Sequence, residues 1–127
     1  MNSTAEDIKD MLESDSELTF ELHVGKEPAT PIETISIFET MGGLPQLTLN
    51  KTEKYEYCGV QIRVRAYTYV TGYDEITRIK DLLHGRAGEI WNGTYYSVIY
   101  CSGGPFLLDY DKNQNVRFII NFRVQRR

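Results

Sequence analysis

With 127 residues, 41% hydrophobic and 25% charged, the chain has the length of one domain and an ordinary globular composition, which excludes the apolar-poor, charge-rich profile of a disordered polymer. The formal net charge of −4 weighs against a protein whose main task is gripping nucleic acid, because that affinity comes from many Lys and Arg neutralising phosphates. No apolar run approaches the ~20 residues of a membrane span, and Met1–Asp10 lacks a basic region followed by an apolar one, so a soluble intracellular chain is expected.

Ser3 followed three residues later by Glu6 is a capping-box pattern, and Ile8, Met11 and Leu12 then recur on one helical face, which predicts a helix from Thr4 to Glu13. Glu17–Val24 alternates Leu18, Phe20, Leu22 and Val24 with polar residues and reads as a strand with one buried face, broken by Gly25, Pro28 and Pro31. A second strand is expected over Glu33–Glu39, with Ile35 and Ile37 on one face and Thr34, Ser36 and Phe38 on the other. From Thr40 to Tyr57 the pattern weakens, and residues 40–57 read as a long loop or a hairpin arm within a single domain spanning 1–127.

Val60, Ile62, Val64, Ala66, Thr68 and Val70 alternate with Gln61, Arg63, Arg65, Tyr67 and Tyr69, the longest strand signal in the chain. Gly72 then opens a helix with Ile76, Ile79, Leu82 and Leu83 on one face, and His84-Gly85 supplies a cation for the negative helix end and a left-handed stop. Tyr95–Cys101 predicts a strand, Ser102–Pro105 a turn, Phe106–Tyr110 a short segment, Asp111–Asn115 a polar turn and Val116–Gln125 a last strand. The order suits an α+β fold, an antiparallel-rich mixed sheet with two helices packed on one face.

Catalytic and cofactor patterns are absent from the sequence. His23 and His84 have no zinc-ligand spacing, the pairs Gly42-Gly43 and Gly103-Gly104 sit in no phosphate-loop pattern, and Asp109 and Asp111 lack the downstream Glu of a calcium loop. No catalytic, metal or cofactor residue is assigned, and no cofactor is expected. Cys58 and Cys101 are expected as free thiols, and the sequons at Asn2, Asn50 and Asn92 as unglycosylated. What stands out is an arginine- and tyrosine-rich surface. Arg63 and Arg65 lie beside Tyr67 and Tyr69 on one face of the long strand, and Arg117 and Arg123 share a side of the last one, a mixture enriched in protein interfaces. Leu47, Leu49 and Lys51 of the arm join them as candidate partner-contact residues.

The order of motifs resembles the small minor capsid or tail-terminator proteins of siphophages, which are related to head-to-tail joining proteins. The matching features are the N-terminal helix, His23-Val24-Gly25 with its proline-bearing linker, Ile35–Thr40 running into Gly42-Gly43, and Gln61–Arg65. Gly72-Tyr73, Leu82–Gly85, the Gly104-Pro105 turn and the closing Arg117–Arg123 strand complete the set. The resemblance spans nearly the whole chain. It implies a non-enzymatic virion subunit, made in the host cytoplasm, that forms a hexameric ring on the tail tube, ends tube polymerisation and offers the head-docking surface. Its implied partners are copies of itself, the tail tube protein, the head connector protein and DNA that passes without tight binding, with no membrane. The acidic balance of each copy suits that last role, since like charge along a channel keeps DNA from sticking. Competing readings are a head-completion or connector-adaptor protein at the neck, and, in another class, a small anionic-ligand binding domain or hydrolase using the Arg/Tyr face.

Overall fold

A computed structural model describes residues 1–14, 17–42, 46–47 and 54–127, with the side chains of 46, 47 and 54 outside the described set. The chain runs α1 (Thr4–Glu13), β1 (Glu21–Val24), β2 (Thr34–Thr40), β3 (Gln46–Leu47), β4 (Lys54–Ala66), α2 (Tyr69–Leu83), β5 (Glu89–Trp91), β6 (Thr94–Tyr110) and β7 (Val116–Arg126). The sheet order is β1-β2-β4-β7-β6-β5, with β3 attached through β4 alone. Among the described residues only the β1–β2 pair is parallel, and the other pairings are antiparallel. The fold is therefore α+β with a mostly antiparallel mixed sheet.

Both helices cover one face of that sheet. In register across the strands, Ile35 and Ile37 meet Val64 and Ile62, which in turn meet Phe118 and Ile120, so the even positions of β4 and β7 build one apolar face. Onto it pack Ile8, Met11 and Leu12 from α1 and Ile76, Ile79 and Leu83 from α2, all buried in a continuous cluster. The capping box closes α1 as the sequence requires, with Ser3 Oγ accepting from the Glu6 amide at 3.2 Å and Glu6 Oε2 accepting from the Ser3 amide at 3.0 Å.

A buried polar network fixes α1 to the far strands. Asp7, fully buried on the inner side of α1, accepts hydrogen bonds from the Tyr96 hydroxyl and from Asn92 Nδ2, the latter at 2.7 Å. Arg126 stands 3.7 Å from the same carboxylate and donates to Glu56 at 3.0 Å and to the Asn2 carbonyl at 3.0 Å. Burial, together with the bond to Asp7, pushes the Tyr96 phenol well above its ordinary range.

Several sequence expectations are corrected. The strand expected over Glu17–Val24 begins only at Glu21, because the Thr19 and Phe20 amides are taken by the buried Glu75 carboxylate of α2, at 3.2 and 3.1 Å. The long strand does not continue to Val70. It ends at Ala66, and Thr68 Oγ1 accepts from the Thr71 amide at 3.3 Å, a cap that starts α2 at Tyr69 rather than at Gly72. Ser102–Pro105 forms no chain-reversing turn. β6 runs through it with register shifts opposite an uninterrupted β7, because Gly104 adopts φ +93° and a Cβ there would stand 2.8 Å from the Ile119 carbonyl oxygen. β5 lies outside the strands expected from the sequence; it returns to β6 through Asn92-Gly93, both left-handed, a two-residue hairpin signal. His84 caps α2, but its Nδ1 accepts from the Cys101 amide at 2.9 Å, so the side chain reaches to β6.

Candidate assembly surface

The helix-free face of the sheet carries the odd positions of β4 and β7, and with them Arg63, Arg65, Arg117 and Arg123. Their environments differ sharply. Arg65 is only 8% exposed. Its Nε donates to the Ile32 carbonyl at 2.9 Å, its Nη2 to the Pro31 carbonyl at 3.0 Å and to the Pro28 carbonyl, and its Nη1 stands 3.5 Å from Glu27. It is thus the post that holds the Gly25–Glu33 connection against the sheet, and not a surface residue.

Arg117 is engaged from two sides. It grips Asp109 with two parallel bonds of 2.6 and 2.7 Å and donates to Glu27 at 2.8 Å, so Glu27 bridges Arg65 and Arg117. The hydrogen bonds from Arg117 hold the Asp109 carboxyl below the usual carboxylate range, and the same bonds raise the guanidinium further above its own. Arg63 lies between, with its guanidinium 5.1 Å over the Phe38 ring and its Nε donating to Gln61 at 3.0 Å. Arg123 sits at the opposite end of β7, level with Gly59 and Tyr100, and donates to the Met41 carbonyl at 3.0 Å.

The arginines therefore do not converge on a pocket for an anion. Two are consumed in ion pairs and carbonyl contacts, and the others are spread along the sheet. Tyr67 and Tyr69 are also not beside Arg63 and Arg65, since the chain leaves the sheet after Ala66. Leu49 and Lys51 lie outside the described residues, and Leu47 is placed only as backbone, paired with Lys54.

The tyrosines instead belong to an exposed apolar surface on the other face. Tyr69 and Tyr73 stack on one another at 6.1 Å and present their rings to the edge of Phe118 at 5.1 and 6.0 Å. Tyr69 is 51% exposed, and Tyr67 at 61% and Val70 at 68% flank it in the chain. On the neighbouring strand Leu107 pairs with Phe118 and Tyr110 with Val116, so both side chains share that face and stand half exposed beside the tyrosines. Phe106 and Leu108 are exposed on the same stretch of β6. Exposed apolar and aromatic side chains grouped in this way mark a protein contact. The signal was in the sequence, as Phe106-Leu107-Leu108 following Pro105, but it could not be separated from a buried segment by pattern alone.

Comparison with known proteins follows the same line. The family described as "Bacteriophage tail terminator protein" matches residues 3–126. No curated protein matches the chain. Among solved structures, a chain of the "Virion of native gene transfer agent (GTA) particle" superimposes with a TM-score of 0.72 at 15% identity, covering 98% of this chain and 94% of the other, a likeness of fold. Since the family match runs essentially from end to end, the chain belongs to the bacteriophage tail terminator family, structural proteins of the virion tail.

Proposed function

We propose that copies of this chain close into a ring, a hexamer, that caps the tail tube, ends its polymerisation and presents the surface on which the head docks. The observation that carries this reading is the family match over residues 3–126. The exposed aromatic surface around Tyr69, Tyr73 and Leu107 supports it, because a chain that worked alone would bury or disperse such side chains. The partners are further copies of the chain, the tail tube protein and the head connector protein, with DNA passing through the ring.

The work is assembly and not catalysis. The ionisable groups that a ligand-binding or hydrolytic site would use are already committed to the fold, Arg65 and Arg117 to Glu27 and Asp109, and Asp7 to Tyr96 and Asn92. The Thr40–Tyr57 segment is the arm that meets the tube; among the described residues its β3 pairs with β4 alone, which supports a free outer edge for a partner.

The reading is tested by electron microscopy of particles from a phage whose copy of this gene carries an early stop codon. Full heads beside separate tails that are overlong or ragged at the head-proximal end are expected. Normal tails beside heads that have lost their DNA would replace the terminator role with head completion, and normal virions would overturn both. Deleting Gln46–Glu53 should leave a folded chain that no longer caps tubes.

A further inference from the structure

A ring of identical subunits needs two different, complementary surfaces on each copy, because a single self-complementary patch closes a dimer and stops. The sheet supplies two such surfaces. At one end β1 pairs with β2 on one side only; at the other, β5 covers β6 only at Thr94–Tyr96, so Phe106–Asp109 has β7 on its inner side and no strand outside it among the described residues. Edge strands are ordinarily blunted by charge, and here the edge reads Phe106-Leu107-Leu108 before the first charge at Asp109.

The two open edges are also level with one another. One row of cross-strand partners runs Leu22, Ile35, Val64, Phe118, Leu107, and the next runs His23, Ser36, Arg63, Ile119, Phe106. The free part of β6 is therefore reached from β1 by straight steps across five strands, with no offset along the strand direction. Level edges let the two strands pair along their full free length, and the contact makes a ring when the rotation between copies closes. Strand direction agrees. β1 and β2 are parallel and the three following pairings are antiparallel, so β6 runs opposite to β1, and a rotation about an axis along the strands brings them together as an antiparallel pair.

We propose that the ring is sealed by this pairing, with the outer edge of Phe106–Asp109 of one copy joined to the outer edge of Glu21–Val24 of the next. The inference rests on the ring reading above and specifies its seam. Leu22 comes to lie against Leu107 on the helix-bearing face, where the neighbour's α1, packed over its own β1 and β2, covers the Tyr69–Tyr73 stack. His23 comes to lie against Phe106 on the opposite face.

The test uses the full chain with Cys58 and Cys101 replaced by Ala and with Leu22→Cys and Leu107→Cys introduced, added to tail tubes from a terminator-deficient phage and then oxidised. Directly opposed residues of an antiparallel pair stand about 4.5–5.5 Å apart at Cα, within the disulfide range of about 4.4–6.8 Å. A non-reducing gel should show a ladder of covalent multimers ending at the ring number, and neither single variant should give one. Rings visible on the tubes without a ladder would overturn the seam and leave the ring intact. Covalent dimers from Leu107→Cys alone would replace it by a twofold β6–β6 contact. Failure of the parent chain to form rings on tubes would instead overturn the ring reading itself. As a second measurement, Leu107→Lys, whose folding is verified by circular dichroism because the site is already exposed, should lower the fraction of capped tubes at least about tenfold; unchanged capping would overturn the seam.

Discussion

Arg63 and Arg65 are two residues apart on the same face of β4, yet they do different work. Arg65 satisfies three carbonyls of the Gly25–Glu33 connection and faces Glu27, whereas Arg63 lies over Phe38. Arg65→Ala should therefore cost about 2–4 kcal/mol, since three part-buried carbonyls lose their donor and Glu27 loses one of its two cations. Arg63→Ala should cost no more than about 1 kcal/mol, the worth of a half-exposed cation–π contact. Urea unfolding of both variants checks the contrast. Asp109 carries part of the acid dependence, beside Asp111, whose carboxyl is held low by the Asn115 amide. The folded-state Asp109 carboxyl lies below the ordinary value of 3.8, so its contribution is complete above that value and is lost as pH falls through the depressed one. Asp109→Asn should flatten the fall of the urea midpoint below about pH 4 relative to the parent.

At the level of the elements, β6 is the one whose local sequence and final form diverge most. It keeps pairing with β7 through Ser102–Pro105 because Gly104 accepts φ +93° and lets the Ile119 carbonyl approach. Gly104→Ala would meet both the backbone strain and the 2.8 Å contact, and should destabilise the chain by about 1–3 kcal/mol. Hydrogen exchange should show the loss first at the amides of Phe106–Asp109, the stretch that the bulge aims. α2 illustrates the reverse case. Tyr69 and Val70 fit the alternation of β4 as well as they fit a helix, and the cap at Thr68 decides between the two.

For the whole molecule, a proposed ring through which DNA passes requires a chain that does not hold DNA. A net charge of −4, with Arg117 and Arg126 already paired to carboxylates, leaves few cations for phosphates. The purified chain should bind duplex DNA more weakly than about 100 μM at physiological salt by fluorescence anisotropy. Tight, salt-sensitive binding would conflict with a ring that DNA must traverse.

The elements and their buried faces were legible in the sequence because they repeat with a period. Ile8, Met11 and Leu12 of α1, Ile35 and Ile37 of β2, and Val116 to Val124 of β7 lie where their spacing put them, since a helix or a half-buried strand imposes its own period on the chain. The order of motifs along the chain likewise carries the likeness to the tail terminator family, independently of any contact. What only the tertiary structure decided depends on residues distant in the chain: that Arg65 is sealed by carbonyls more than thirty residues earlier, that Glu75 takes the amides that would have lengthened β1, and that Phe106-Leu107-Leu108, level with β1, has no strand outside it among the described residues. Local periodicity states which side of a strand is apolar. Whether that side is covered, and by which element, is fixed by the packing of the whole sheet.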